Sequence, residues 1–146
     1  MSGVPLVLDA AGLDALSATR PPEMIRALLG EAHRRGREVL APTVVCAEVA
    51  RGPKRTRALE AAVSRHDRHR GEQPPVRLVD TDFGLARQVG AILHTGRSGS
   101  DRIVDAHVVA VCVPSGGGLV VTSDPDDITA LAAAGPAARI RAVRAA

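Results

Sequence analysis

Val4-Pro5-Leu6-Val7-Leu8-Asp9 is an apolar run that ends at an acidic residue, and it predicts a short, fully buried β-strand. A similar run, Leu119-Val120-Val121-Thr122-Ser123-Asp124, lies near the other end of the chain. Two more short strands are predicted at 39–41 and 76–79, and 140–143 has the pattern of an edge strand. Strands that alternate with helices imply a parallel sheet with helices on both faces. We therefore predict an α/β fold around a mostly parallel sheet of four to five short strands.

The segments between these strands carry helical periodicity. Apolar side chains recur at intervals of three and four residues, and glycine or proline stands at several predicted helix ends. We predict helices at 20–36, 43–52, 54–69, 81–93, 101–113 and 126–134. The linker 71–75 and the glycines at 116–118 are predicted turns. Because the chain has no internal repeat and no domain-sized linker, residues 1–146 are predicted to form one domain.

The composition is that of a globular domain, with 45% hydrophobic residues in a chain of 146. Cys46 and Cys112 each lie in apolar sequence without metal-finger spacing, which favours two small buried side chains over a disulfide. The sequence begins without the pattern of a secretory signal, and no apolar run approaches the roughly 20 residues that span a bilayer. We expect a cytoplasmic protein that does not bind membranes.

Four acidic residues are expected to meet at one edge of the sheet: Asp9, Glu48, Asp105 and Asp124. Asp9 and Asp124 directly follow strands, and ligands of open parallel sheets bind beyond the carboxyl ends of the strands. Glu48 and Asp105 interrupt apolar segments, where a solvent-facing carboxylate is not expected. Carboxylates beside buried strands are unfavourable unless a cation pairs with them. Oxygen-only ligands suit Mg²⁺ or Mn²⁺, which leads to metal-assisted chemistry on phosphate.

Several of these acids also have a purely structural interpretation. Asp124 precedes a predicted helix and can serve as its N-cap, while Asp127, one turn further, is a secondary ligand candidate. Asp101, four residues before Asp105 on the same predicted helix, is the other secondary candidate, although an acid there also favours the helix N-terminus. His107 is predicted to face the core or a groove wall, because adjacent residues of a helix face different ways.

These motifs, in this order, resemble those of PIN domains, and among them those of the VapC ribonuclease toxins. The matching segments, which follow essentially the whole chain, are 6–10, 44–49, 100–106 and 120–127. The resemblance implies an Mg²⁺-dependent endoribonuclease, with Mn²⁺ as a substitute, that hydrolyses RNA phosphodiester bonds with a metal-activated water. It also implies that the Thr122 hydroxyl supports the site. The catalytic metal ligands that it implies are Asp9, Glu48, Asp105 and Asp124.

The resemblance further implies a homodimer and a small antitoxin protein whose tail enters the active-site groove. Many VapC toxins carry Thr or Ser after the first aspartate, whereas this chain has Ala10, so one supporting hydroxyl is missing. In some relatives the acid that follows the last strand is replaced by an acid three residues further on, which is the position of Asp127 here.

The chain is basic, with a formal net charge of +3 and a pI near 9.6, which suits a polyanionic substrate. The densest basic region, here called the basic segment, comprises Arg51, Lys54, Arg55, Arg57, Arg65, Arg68 and Arg70. It either tracks an RNA backbone, meets an acidic antitoxin segment, or forms a solvated helix face. Because Phe83 is the sole aromatic residue, base stacking is not expected to supply affinity, and RNA binding should weaken steeply with salt.

Two other functions are compatible with the acidic pattern. A receiver-like phosphoacceptor domain also clusters acids around Mg²⁺ at strand ends, but it would need a lysine on a late strand, and the only lysine is Lys54. A PIN-like binding module without catalytic activity is the second alternative, and the complete acidic set argues against it.

Overall fold

The computed structural model describes residues 3–68, 76–135 and 139–145, apart from the side chains of 64–68 and 134. The strands of this part of the chain are β1 (Leu6–Leu8), β2 (Val39–Pro42), β3 (Val76–Val79), β4 (Gly117–Thr122) and β5 (Arg139–Arg144). Its α-helices are α1 (Ala10–Ser17), α2 (Glu23–Arg34), α3 (Thr43–Val49), α4 (Pro53–Arg68), α5 (Phe83–Thr95), α6 (Ile103–Ala110) and α7 (Pro125–Ala134). One or two helices separate each strand from the next, as the sequence predicted.

The strands form one sheet in the order β3-β2-β1-β4-β5, and every neighbouring pair is parallel. Leu6 of the central strand pairs with Val39 of β2 and with Leu119 of β4. All three residues of β1 are buried, as expected for a strand whose sheet is covered by helices on both faces. The predicted α/β architecture is confirmed, and it places the carboxyl ends of β1 and β4 side by side.

The core is built from aliphatic side chains. Its largest fully buried members include Leu8, Leu13, Ile25, Leu29, Ile92 and Ile128. Cys46 and Cys112 are both free thiols, as predicted, but only Cys112 is buried and Cys46 is half-buried. The Sγ of Cys112 donates a hydrogen bond to the Val108 carbonyl oxygen at 3.4 Å. Burial raises the pKa of the Cys112 thiol to about 12, so this residue behaves as a small core side chain rather than as a nucleophile.

Helix α1 is absent from the sequence prediction, because the small residues 10–12 carry little periodic signal. The Asp9 side chain begins this helix: its Oδ1 accepts a hydrogen bond from the Gly12 amide at 3.1 Å. Gly12 also allows the first turn to pack closely on the sheet. A Cβ at this position would lie 3.2 Å from the Cβ of Leu8 and 3.2 Å from the carbonyl oxygen of Val121.

The predicted glycine turn is partly wrong. Gly116 has the positive φ of a turn (75°), but Gly117 and Gly118 are the first residues of β4. A Cβ at Gly118 would lie 2.6 Å from the Sγ of Cys112, so this glycine is needed for packing rather than for turning. The turn predicted at 71–75 lies outside the described residues.

Candidate metal centre

Asp9 lies at the carboxyl end of the central strand and is the most buried of the four predicted ligands, with 7% relative exposure. Burial raises the pKa of its carboxyl group. Hydrogen bonds from the Thr122 hydroxyl and from the backbone amides of Gly12, Ala11 and Ser123 act in the opposite direction. The carboxylate is therefore held in one place while its charged form stays unfavourable, and a bound cation would relieve that penalty.

Thr122, the last residue of β4, links the two strand-end acids. It is only 2% exposed, and its hydroxyl hydrogen-bonds to the Asp9 carboxylate. The same hydroxyl oxygen accepts a hydrogen bond from the Asp124 amide at 3.1 Å. Thr122 therefore holds Asp9 and the start of α7 in a fixed relation, and it lies where the resemblance implied a supporting hydroxyl.

Asp105, in the first turn of α6, gives the clearest sign that the acids converge. Burial is the largest cause that raises its pKa, and the carboxylates of Asp9, Asp127 and Glu48 raise it further. The guanidinium of Arg102 acts in the opposite direction. Coulomb interactions weaken with distance, so the carboxylates of Asp9, Glu48 and Asp127 lie near enough to Asp105 to act on it. The region that these four acids border is called the acidic pocket below.

Glu48 occupies the solvent side of the acidic pocket. The expectation that this residue is hidden from solvent is wrong, since both Glu48 and its neighbour Ala47 are exposed. The buried face of α3 is formed by Val45 and Val49 instead. Glu48 still acts on Asp105, so it borders the acidic pocket from the outside.

The two acids at the start of α7 have different environments. Asp124 is exposed and caps the helix, because its Oδ1 accepts a hydrogen bond from the Asp127 amide at 3.3 Å. This is the structural interpretation that the sequence left open. Asp127 is half-buried, and its carboxylate is one of those that raise the pKa of Asp105. The geometry favours Asp127 over Asp124 as the α7 acid that faces the acidic pocket.

Asp101 is exposed and does not share a helix with Asp105. It lies in a short 3-10 turn, Ser100–Arg102, and α6 begins only at Ile103. The helix predicted at 101–113 is therefore shorter at both ends, and the prediction that Asp101 and Asp105 share one helix is wrong. The Asp101 carboxylate acts on Arg102 instead.

Arg102 is the residue of this region that the sequence did not single out. Its Nη1 contacts the Oδ2 of Asp127 and lies 3.6 Å from the Oδ2 of Asp105. The hydrogen bond between Arg102 and Asp127 raises the pKa of the guanidinium and lowers the pKa of the carboxyl group. A local signal was present, since Arg102 precedes Asp105 by three residues, a spacing common in helix ion pairs. The contact with Asp127 could not be predicted in this way, because the two residues are distant in the sequence.

The chemistry of the donor set fits a hard divalent cation, because the candidate ligand side chains are all carboxylates. Among the described residues, no group of three or more His, Cys, Asp or Glu side chains is arranged to coordinate an ion as it stands. The guanidinium of Arg102 lies against two of these carboxylates, those of Asp105 and Asp127, and takes the place of a cation beside them. Binding of Mg²⁺ would require the acidic side chains to close around the ion.

His107 is a core residue. It is 6% exposed, and its Nδ1 hydrogen-bonds to the carbonyl oxygen of Ile103 at 2.7 Å, one turn earlier on α6. The prediction of a core position is confirmed, and this contact ties the imidazole to the helix backbone.

The basic segment is described in part. Arg51, Lys54, Arg55 and Arg57 are all exposed. Arg55 pairs with Asp14 at 3.0 Å and thereby joins α4 to α1. Arg65, Arg68 and Arg70 have side chains outside the described residues, as have His66 and His69.

A family model described as PIN domain matches residues 13–134. The chain belongs to the PIN domain family. The strand order agrees with this and argues against the receiver-like alternative: β1 lies between β2 and β4, whereas the receiver order places the first strand between the second and the third. Comparison of this PIN domain with curated proteins gave no match.

Two solved structures share the fold of this PIN domain. The structure of FitAB bound to an IR36 DNA fragment aligns with a TM-score of 0.60 and 16% identity, covering 95% of this chain and 94% of the other. The structure of VapBC2 from Rickettsia felis, bound to a DNA fragment from their promoter, aligns with a TM-score of 0.62 and 13% identity, covering 94% and 98%. At such identities the similarity establishes the fold alone. Within the described residues of this PIN domain, none of the helices has the length and apolar character that crossing a membrane requires.

Proposed function

We propose that this PIN domain is an Mg²⁺-dependent endoribonuclease that acts in the cytoplasm as a VapC-like toxin, with Mn²⁺ as a substitute ion. The observation that carries the proposal is the position of Arg102, whose Nη1 contacts the carboxylate of Asp127 on α7 and lies 3.6 Å from that of Asp105 on α6. Burial, and then the nearby carboxylate of Asp9, raise the pKa of Asp105, which agrees with acids from several elements lying near one another. Membership of the PIN domain family supports a nuclease, and the fold shared with FitAB and VapBC2 supports a toxin of this type.

Asp9, Glu48 and Asp105 are the proposed ligands that come from three separate elements. The fourth acid is supplied by the start of α7. Asp124 is the ligand that the family resemblance implies, and Asp127 is the acid whose carboxylate reaches the acidic pocket. Replacing each of the two acids in turn separates these assignments.

The side chains of this domain have two tasks in the proposed reaction. When bound, Mg²⁺ supplies the chemistry, because it lowers the pKa of a coordinated water and offsets the charge on the phosphodiester. Thr122 and the first amides of α1 hold the buried Asp9 carboxylate in place. Glu48, on the exposed side of the acidic pocket, leaves that side open to an RNA strand.

Cleavage of a mixed cellular RNA substrate by purified protein tests the proposal. We expect strand breaks with Mg²⁺ or Mn²⁺, none with chelator, and a loss of at least about 100-fold for Asp105→Asn, beyond the typical effect of a group that only supports a ligand. Because the charged form of Asp105 is unfavourable in the metal-free protein, this variant should fold at least as well as the wild type.

Asp126→Asn is the matched control. Asp126 is an exposed acid in the first turn of α7, next to Asp127, and its replacement makes the same chemical change outside the acidic pocket. We expect full cleavage activity from this variant. Cleavage that survives chelator or Asp105→Asn would reject the metal nuclease. RNA binding without cleavage at saturating Mg²⁺ would select the silent binding module.

RNA contact is proposed for the described part of the basic segment. Arg51, Lys54 and Arg57 are exposed, whereas Arg55 is engaged by Asp14. Replacing the first three by Gln should weaken RNA binding and flatten its dependence on salt, because phosphate contacts release counterions. A control that replaces three other exposed arginines by Gln, namely Arg26 and Arg34 of α2 and Arg35 at its C-cap, removes the same charge from another part of the surface. Equal losses in both triple variants would reject a specific contact.

We also propose an antitoxin protein as partner and a homodimer as the state of this PIN domain. Support comes from the structural neighbours FitAB and VapBC2, which were solved as complexes on DNA fragments. Light scattering during gel filtration checks the dimer, for which the expected mass is about twice 15.1 kDa. Co-purification with the product of a small adjacent gene checks the antitoxin.

A further inference from the structure

Arg102 places a permanent positive charge against the acidic pocket. Its Nη1 contacts the Oδ2 of Asp127 and is 3.6 Å from the Oδ2 of Asp105, so one nitrogen serves two carboxylates. Arg102 and Asp105 lie next to each other around the start of α6, whereas Asp127 belongs to α7. The contact therefore joins two elements that each supply an acid to the pocket.

This positive charge cannot be removed by deprotonation. A guanidinium stays charged throughout the pH range in which proteins are folded. The charge can leave the carboxylates only if the side chain of Arg102 moves. That side chain is 36% exposed, so a rotation towards solvent does not require the core to open.

We propose that Arg102 is an internal counter-ion that competes with a divalent cation for the carboxylates of Asp105 and Asp127. The inference rests on the proposed metal-dependent function. In the metal-free protein the guanidinium reduces the repulsion between the two carboxylates. When an ion binds, two cations at the same oxygens repel each other, so the ion has to displace the guanidinium. Arg102 is thus a positioning residue that lowers the affinity of the pocket for metal.

Competition predicts two effects of opposite sign when the charge is removed. Arg102→Gln should lower the stability of the metal-free protein, because the carboxylate repulsion is no longer offset. The same variant should bind a divalent ion more tightly, because the ion no longer displaces a competitor. A guanidinium with a purely structural role would give lower stability without any gain in metal affinity.

Calorimetric titration with Mn²⁺ as the probe measures the affinity, and thermal unfolding with and without Mn²⁺ measures the stability. We expect Arg102→Gln to bind Mn²⁺ about tenfold more tightly, within the usual range of coupling between two binding events. Its Tm in chelator should be lower than that of the wild type, and its rise in Tm with Mn²⁺ should be larger. Arg102→Lys keeps a positive charge and should stay close to the wild type.

Arg77→Gln is the matched control, because it also removes an arginine from an exposed ion pair. The Nε of Arg77, in β3, lies 2.8 Å from the Oε2 of Glu38, the residue before β2. This control should leave the Mn²⁺ affinity unchanged. If the wild type and Arg102→Gln bind Mn²⁺ equally, or if the variant binds more weakly, the competition is refuted while the metal-dependent function stands. If no form of the protein binds Mn²⁺, both are refuted. None of these readouts depends on RNA cleavage.

Discussion

Two strand-to-helix junctions, residues 9–12 and 124–127, share a local design and differ in their surroundings. In each, an aspartate follows a strand and caps the next helix by accepting a hydrogen bond from the amide three residues further on. The capping residue of the first junction is buried, and that of the second is exposed. The acid that faces the pocket is the cap itself at the first junction and the third residue of the helix at the second.

The difference follows from the residue at that third helical position. Gly12 has no side chain, so α1 comes close to the sheet and its cap is drawn into the interior. Asp127 has a carboxylate that reaches Arg102, and its cap is left in solvent. A capping aspartate at a strand end is therefore not in itself evidence of a metal ligand. Whether its carboxylate is buried distinguishes a candidate ligand from a residue that only caps the helix.

The largest effect on RNA cleavage should come from substituting the two acids of the second junction one at a time. Asp127→Asn removes a charge from the acidic pocket, and we expect Mg²⁺-dependent cleavage to fall by at least about 100-fold. Asp124→Ser removes a carboxylate but keeps an oxygen that can cap the helix, so cleavage should change only slightly. Rates of RNA cleavage under saturating Mg²⁺ check both variants. The reverse ranking would make Asp124 the ligand and Asp127 a partner of Arg102 alone.

The next effect concerns the close approach of the first junction. Gly12→Ala places a Cβ 3.2 Å from two atoms of the sheet, and crowding of this kind should lower the free energy of unfolding by about 1–3 kcal/mol. Gly90→Ala is the matched control within α5, where a Cβ would meet no atom within 4 Å. It should raise the free energy of unfolding by up to about 1 kcal/mol, because alanine favours helices. Urea unfolding measures the free energy of unfolding of both variants. If the two substitutions change it in the same direction, the packing argument is contradicted.

Sequence alone predicts the sheet and the placement of Asp9 and Asp124 at one edge of it, for a clear physical reason. Buried parallel strands are continuous apolar runs, so β1 and β4 stand out, and the acids that follow them must meet at one edge. Choosing between Asp124 and Asp127 requires the packing of α7 against α6, which local spacing does not contain. The contact of Arg102 with Asp127 is hidden for the same reason.

Other failures of the prediction also trace to tertiary packing. Helix α1 has small residues in its first turn and becomes visible only once Asp9 is known to cap it. The apolar neighbours of Glu48 suggested burial, but Val45 and Val49 are the fully buried residues of the short helix α3, and Glu48 is exposed. Exposure on a helix of about two turns depends on which side its neighbours cover, and periodicity over so few residues does not determine that.

A smaller effect, on stability, tests whether Asp124 does anything other than cap α7. In chelator, Asp124→Ala should lower the free energy of unfolding by about 1 kcal/mol, because the first amides of α7 lose their acceptor. Asp124→Ser should lose much less, since its hydroxyl oxygen can accept the same hydrogen bond. Urea unfolding of the two variants side by side checks the difference. Equal losses would show that the carboxylate contributes something other than a cap.

The smallest expected effect is a pH dependence that belongs to the buried cap. Burial raises the pKa of Asp9 above its ordinary value of 3.8, so the folded protein holds this proton more tightly than the unfolded chain. Its contribution to stability is fully present below the ordinary pKa and is lost as pH rises through the folded pKa. In chelator, the free energy of unfolding of the wild type relative to Asp9→Asn should therefore be highest at acidic pH and fall towards neutrality.

Saturating Mn²⁺ should reverse the direction of this pH dependence. A cation beside Asp9 favours the charged carboxylate and lowers its pKa, so the wild type would then gain stability relative to Asp9→Asn as pH rises. Unfolding measured from about pH 4 to pH 7, with and without Mn²⁺, gives both slopes. The same slope in both conditions would mean that the ion does not bind at Asp9, and the buried cap would then differ from the exposed one in environment but not in function.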